Sequence, residues 1–511
     1  MAFSNNVINT HILFSAFPAW GHVRPFCILA ARLVQENENT AVTMIIVPSF
    51  LKKAQAEISA EFRDSASENV RRRLRVLSSF KSDSEDPFVL MPPLIGSYGA
   101  VYQNLVQSKP ISCSATGEMF DSVSPPNAVI LDFFAYPLML ATRAISGHSV
   151  PIASWFSAHM ATGIRFWGPE KFGGYGDINK KVEQEVIKTG ATTKEVEEKL
   201  FDFVKNTKGD MVKIPGVPDM YDWEFFPQLY YRGLREGDAV FVTTSYTMEG
   251  ETLEAVKSWF SDWKQEVYVV GPLLPAGYGV VKESDRGSTD TREFLERTLV
   301  KHGEKSVTLI SFGTVFWPEA QDYIEEVLEA FIEKNCPFII CYASPFAKMS
   351  EDLIQRVKDS DIGLISKWIP QQYILNHKAT GWFMTHGGQN SVMESLGSGI
   401  PMICWPFEAD QPAAAAHLSL NLKVAFELIE VRTGDNGLKP LLRSGNTPKG
   451  TREAVGIEIR QVIESCRGEK GQELRKNALA FKDEFAKAWE TDGSSRRDFR
   501  QFSLKYNLRL S

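Results

Sequence analysis

His22 stands in FPAWGHVRPF, a stretch rich in Gly and Pro that follows the first apolar run of the chain and reads as a loop after a strand. Imidazole titrates near neutral pH, so a histidine there fits a general base that takes a hydroxyl proton. Asp132 lies in the otherwise apolar VILDFF, where an unpaired charge is expensive. An imidazolium at His22 would supply the cation it needs, and the carboxylate would orient the ring without taking its proton. Taken singly, His22 also reads as a structural loop histidine and Asp132 as a local turn cap.

A second set of ligand-type residues is packed into WIPQQYILNHKATGWFMTHGGQNSVMESLGSGIPMICWPFEADQ, Trp368 to Gln411. An apolar segment, GWFMT, turns through His386, Gly387 and Gly388 into the helical pattern NSVMESL, which makes a strand, loop, helix unit. Glycines before a helix let the backbone approach an anion, and the free N–H groups at the helix start favour negative charge, so a diphosphate suits the place. Trp368 follows the strand-like GLISK, and an indole at a strand end can stack on a nucleobase. Base and phosphate ends of a nucleotide are thus both provided for. Individual residues have plainer readings. Ser391 and Glu394 have the spacing of a capping box, Asp410 before Pro412 that of a helix N-cap, and Thr314 in SFGT, at a strand end before a helix, also reads as a cap. Their joint spacing is what speaks for a site.

This segment resembles, without a gap, the signature of the UDP-dependent family 1 glycosyltransferases, in particular the plant secondary-product type. IPGVPDM, FVTTSYTMEGE, YVVGPLLP and SFGTVF look like landmarks of the same family in the expected order, and Gly21, His22 and Pro25 match its G-H-x-x-P pattern. The resemblance implies a GT-B fold, two Rossmann-like domains whose parallel sheets face across a cleft. It makes His22 the base and Asp132 its partner. Trp368 would stack on uracil, Gln371 would help hold the nucleoside, and Glu394 would take the ribose hydroxyls. His386, Asn390 and Ser391 would contact the diphosphate, with Thr314 in reach of it, and Asp410 and Gln411 would bind hydroxyls of the donor sugar. Ile369, Gly388 and Gln389 complete the donor set. Gln389 stands where the plant enzymes usually carry Trp, and HGG is closer to animal and microbial branches, so a fungal or other microbial member is expected. The implied reaction is inverting, metal-independent transfer of a sugar, glucose first, from its UDP conjugate to a hydroxyl or carboxyl of a small lipophilic acceptor, with no cofactor beyond the UDP-sugar. A sugar-nucleotide-binding scaffold and a UDP-sugar epimerase are the alternatives.

The elements that must position these residues are legible as alternating apolar runs and helical patterns. HILFSAF, FCILAARLVQ, AVTMIIVP, NAVILDFF and PLMLATRAIS form one such series, and SVTLISFGT, DYIEEVLEAFIE, PFIICYA, GLISKW, GWFMTH and PMICWPF a second. Alternation of this kind means βαβ units on parallel sheets. The Gly-, Ser- and charge-rich AGYGVVKESDRGSTD between them reads as a linker. The expected division is an acceptor-binding domain over 1–272, a linker over 273–290, a UDP-sugar-binding domain over 291–480, and a C-terminal helix over 481–511 that braces the first domain. Aromatic clusters (Trp155, Phe156, Phe166, Trp167, Phe172 and Tyr175; Tyr221, Trp223, Phe225, Phe226, Tyr230 and Tyr231) could line the acceptor pocket or fill the core.

A net charge of −7 over 511 residues argues against nucleic acid or an anionic membrane as the main partner. The basic cluster RRRLR, Arg71 to Arg75, reads as a solvated helix face. Six cysteines without metal-ligand or disulfide spacing point to a reducing compartment. HILFSAF reads as a strand and not a signal peptide, the polar C-terminal tail carries no anchor pattern, and no apolar run is long enough to span a bilayer. A cytoplasmic monomer is expected. Asp359-Ser360-Asp361 spells the D-x-D of metal-dependent transferases but reads as a turn, so no metal is expected.

Overall fold

The computed structural model describes residues 8–62, 67–197, 207–225, 236–275 and 289–510. Most of the expected linker, and the aromatics Phe226, Tyr230 and Tyr231, lie outside the described residues.

Two parallel sheets organise the chain. The first contains β1 (Thr10–Ser15), β2 (Thr40–Ile45), β3 (Leu74–Leu77), β4 (Ala128–Asp132), β5 (Ile152–Phe156), β6 (Ala239–Val242) and β7 (Glu266–Val269) in the order β7-β6-β5-β4-β1-β2-β3. The second contains β8 (Val307–Ser311), β9 (Phe338–Cys341), β10 (Gly363–Ser366), β11 (Thr380–Thr385), β12 (Met402–Cys404) and β13 (Ala425–Glu427) in the order β10-β9-β8-β11-β12-β13. In the second sheet Leu309, Ile339, Phe383 and Met402 enter one apolar core, while Ile310, Ile340, Met384 and Ile403 enter the other. Successive side chains of a strand point to opposite faces, so burial on both faces needs the near-continuous apolar runs that the sequence carries.

Strand order reverses between β1 and β4 in the first sheet and between β8 and β11 in the second. Loops diverge at such a point and leave a crevice at the carboxyl ends of the strands. His22 follows β1 and Asp132 ends β4, while the Thr314 turn follows β8 and His386 follows β11.

The C-terminal helix Ser494–Lys505 returns to the first sheet. Asp498 accepts from the Val269 N–H at 2.7 Å and from the Tyr246 hydroxyl at 2.8 Å, and Phe499 and Phe502 join the core around β1. The RRRLR cluster is divided: Arg71 and Arg72 are exposed, but Arg73 and Arg75 are buried. A wholly solvated face is therefore not what the cluster forms. The Arg73 fork donates to the carbonyls of Val34 and Asn37, at the end of the helix Trp20–Glu36, and of Thr40, at the start of β2. All six cysteines are free. No helix among the described residues is long and apolar enough to cross a membrane.

Candidate active site

His22 sits in the first turn of α1 (Trp20–Glu36), not in a loop. Gly21 falls in the first turn of that helix, whereas Pro25 lies inside it, where its missing N–H leaves the Gly21 carbonyl without a helical donor. Its Nδ1 lies 2.6 Å from Asp132 Oδ2, with Asp132 fully buried and His22 19% exposed. The other oxygen, Oδ1, accepts the Phe134 N–H at 3.0 Å. Asp132 is thus both the turn cap and the imidazole's partner, because a carboxylate can serve two donors at once. Burial opposes a charged ring at His22. The charge and hydrogen bond of Asp132, helped by Asp410, outweigh it and raise the histidine pKa above its ordinary value. Phe17 and Phe134 stand edge-on to the imidazole at 5.6 and 5.5 Å, and Phe88, 61% exposed, lies 6.4 Å from Phe17.

The glycines after β11 lead into a helix, as their pattern suggests. Gly388 is the N-cap of α2 (Gln389–Ser398), and no side chain among the described residues caps that helix start. The helix begins its ladder with Val392 N–H to Gly388 O, which leaves the N–H groups of Gln389, Asn390 and Ser391 at the helix mouth. Ser391 and Glu394 lie inside the helix, so the capping-box reading fails: the chain enters the helix three residues earlier, at glycine. Gln389 is buried, and its Nε2 has no partner among the described residues. An orphan buried donor costs about 1–3 kcal/mol, which an anion or sugar oxygen would recover. His386 is buried, with its pKa pulled down to about 4 by burial, so at neutral pH it is an uncharged donor. Its ring is fenced by glycines: a Cβ on Gly388 would stand 2.3 Å from Nε2, and one on Gly313 3.1 Å from Cε1. Thr314 is therefore close to His386, but it lies in a turn with the next helix starting only at Gln321, so it caps no helix.

The Trp368 indole is 53% exposed, which removes the core reading. Ile369 packs its side chain into the core and leaves only its main chain for a ligand. Gln371 donates Nε2 to Glu394 Oε2 at 2.8 Å. Asp410 stands before the helix Gln411–Ala416 but makes no side-chain cap there; its Oδ2 accepts the His159 N–H at 2.8 Å. Burial raises the Asp410 pKa to about 6. Gln411 Oε1 accepts the N–H groups of Phe407 and Glu408 at 2.9 and 3.2 Å, so its carbonyl holds the loop and its amide nitrogen is left for other partners.

The D-x-D pair ends the helix Glu351–Ser360. Asp361 is held by Arg297 and Lys301 at 3.0 and 3.5 Å, and Asp359 by Gln355 at 2.7 Å. Of the aromatic clusters, Trp155, Phe156, Phe166, Trp167 and Phe225 are buried core residues, with Phe172 and Tyr175 packed against them.

Several contacts at this site escape sequence reasoning. Arg24 pairs with Glu394 and, through Nε, with Glu57 at 3.3 Å. Lys53 places its ammonium 4.6 Å above the Trp368 ring. Asn390 Nδ2 donates to Gly21 O at 2.5 Å. Arg24 sits inside the G-H-x-x-P motif, but nothing local marks Lys53, whose partner is hundreds of residues away.

Comparison with known proteins converges on one group. The family model described as UDP-glucoronosyl and UDP-glucosyl transferase matches residues 243–439. UDP-glycosyltransferase eriJ of Hericium erinaceus is 29% identical over 96% of this chain and 97% of its own, and UDP-glucosyltransferase 45 of Panax ginseng is 26% identical over 97% of each. UGT2 of Phytolacca americana, solved with UDP-2fluoro-glucose and pterostilbene, superposes with a TM-score of 0.65 at 19% identity, covering 98% of this chain and 100% of that one. A UGT transferase of Siraitia grosvenorii with UDP gives 0.66 at 19% identity with the same coverage. The structural likeness shows the fold, the two-sheet GT-B architecture.

Proposed function

Because this chain is a member of the family 1 UDP-glycosyltransferases, we propose that it moves glucose from UDP-glucose to a hydroxyl or carboxyl of a small lipophilic acceptor, with inversion and without a metal ion. The observation that carries the reading is the 2.6 Å His22–Asp132 pair beside an uncapped helix start. His22, donating Nδ1–H to Asp132, keeps Nε2 as the acceptor of a proton. The acceptor hydroxyl gives its proton to Nε2 as its oxygen bonds to the anomeric carbon. The bond from that carbon to the β-phosphate oxygen breaks, and UDP leaves. A single displacement inverts the anomeric centre. Charge growing on the leaving diphosphate is met by the N–H groups at the start of α2 and by the Gln389 amide, as preorganised dipoles do without a metal.

Glucose is supported by the glucosyl names of relatives and by the fluoro-glucose donor in the Phytolacca structure. A lipophilic acceptor is supported by Phe17, Phe134 and Phe88 around the base. The same reading divides the chain into an acceptor-binding part through residue 272 and a donor-binding part from residue 291, in a cytoplasmic monomer.

The test is His22→Ala. General-base catalysis contributes about 10²- to 10⁴-fold, so transfer to an aliphatic alcohol should fall by that order while UDP affinity holds. Phenols ionised near the assay pH should lose less. Equal turnover by variant and wild type on an alcohol rules the mechanism out.

A further inference from the structure

Helix α1 carries His22, and helix α2 carries Gln389, Asn390, Ser391 and Glu394 of the proposed donor set; two contacts join them on either side of the base. The first is made by Asn390 to the Gly21 carbonyl. In an unbroken helix that carbonyl would accept the N–H of the residue four positions on, but that residue is Pro25, which has none. Proline therefore leaves the Gly21 oxygen open to a donor from the other half of the molecule. Glycine at 21 keeps the approach possible, since a Cβ there would stand 3.1 Å from Asn390 Nδ2. The second contact is Arg24 to Glu394, one helical turn beyond Asn390 on the same face of α2. Arg24 also pairs with Glu57 on the helix Leu51–Phe62, so its guanidinium is held between two carboxylates.

Resting on the functional reading above, we propose that Pro25 and Arg24 are positioning residues: they clasp the base-bearing helix to the donor helix and so set His22 in register with the anomeric carbon. The clasp accounts for a proline inside a helix, a position where it otherwise costs about 3 kcal/mol. It also links the nucleotide seat to the base through backbone and salt bridge, without either residue touching the reacting atoms.

Pro25→Ala returns an N–H that competes with Asn390 for the Gly21 carbonyl and removes no side chain that binds donor or proton. Arg24→Gln removes the charge, and Arg24→Lys keeps it. UDP affinity by calorimetry, kcat with an alcohol acceptor, its pH profile and the melting curve are measured on each full-length protein. Expected are a roughly tenfold fall in kcat for Pro25→Ala and Arg24→Gln, UDP Kd within twofold of wild type, an unmoved acid limb because the His22–Asp132 pair is intact, and substantial recovery in Arg24→Lys. The alanine variant should fold, since alanine is the better helix former. If both variants keep kcat within twofold of an active wild type, the clasp is refuted while the functional reading stands. Should Arg24→Gln instead lose UDP affinity in proportion to kcat, Arg24 is a nucleotide ligand and not a positioning residue. A wild type that neither binds UDP nor transfers sugar overturns both readings.

Discussion

Replacing Asp132 by Asn tests the catalytic pair at the level of a single proton. The carboxylate serves two donors, His22 Nδ1–H at 2.6 Å and the Phe134 N–H at 3.0 Å. Asparagine has one acceptor oxygen and one NH2 group, so it cannot serve both. Keeping the Phe134 cap turns the NH2 toward Nδ1, and the ring responds by moving its proton to Nε2. That nitrogen then has no lone pair with which to take the acceptor's proton. General-base catalysis is lost, about 10²- to 10⁴-fold, or roughly 2.7–5.4 kcal/mol of barrier at 1.36 kcal/mol per decade. The pH profile should change as well. Wild-type His22 has a raised pKa, so its base form, and with it kcat/KM, is lost as pH falls through a value above that of an ordinary histidine. Without the Asp132 charge, burial dominates and lowers the pKa, so the acid limb of whatever activity remains should move to lower pH. The assay is steady-state transfer to an alcohol acceptor across pH 5–9 (a range of roughly two units either side of neutrality), with UDP affinity measured in parallel. Turnover within twofold of wild type with an unmoved acid limb would show that the pair does not act as base and orienter.

Trp368→Ala should weaken UDP binding by about 1–3 kcal/mol, the worth of a base-stacking ring; an unchanged calorimetric Kd removes this half-exposed indole from the site. EDTA should leave transfer intact, because helix N–H groups and neutral donors meet the diphosphate charge; activity lost with EDTA and restored by Mg²⁺ or Mn²⁺ would overturn the metal-free reading. Asp410→Ala should lower turnover with every UDP-hexose, and Gln411→His should change which hexose is preferred, since unpaired buried partners are costly. If UDP-glucose, UDP-galactose and UDP-glucuronate keep their order in Gln411→His, that residue has no part in donor choice.

Much of this protein is legible in its sequence because the signals are local. Paired apolar residues such as Leu309 and Ile310 face two different cores, so a continuous apolar run means a strand buried on both sides. His386, Gly387 and Gly388 before a helix are legible because the glycines mark where the strand ends and the helix starts, and a helix start is the kind of place that suits an anion. Tertiary structure decided what depends on residues distant in the chain. The strand order brings the ends of β1 and β4 together, and only this puts Asp132 within 2.6 Å of His22. Gly388, not Ser391, starts α2, because where a helix begins is set by how its chain enters from the strand before it. Arg73 and Arg75 are buried because carbonyls and hydroxyls that composition does not reveal are there to receive their guanidinium groups. Pro25 reads as a loop residue until Asn390, on the helix that follows β11, is seen on the carbonyl that proline leaves open. A pattern within one element reports its own backbone, whereas partners across a fold are chosen by packing, which no local spacing encodes.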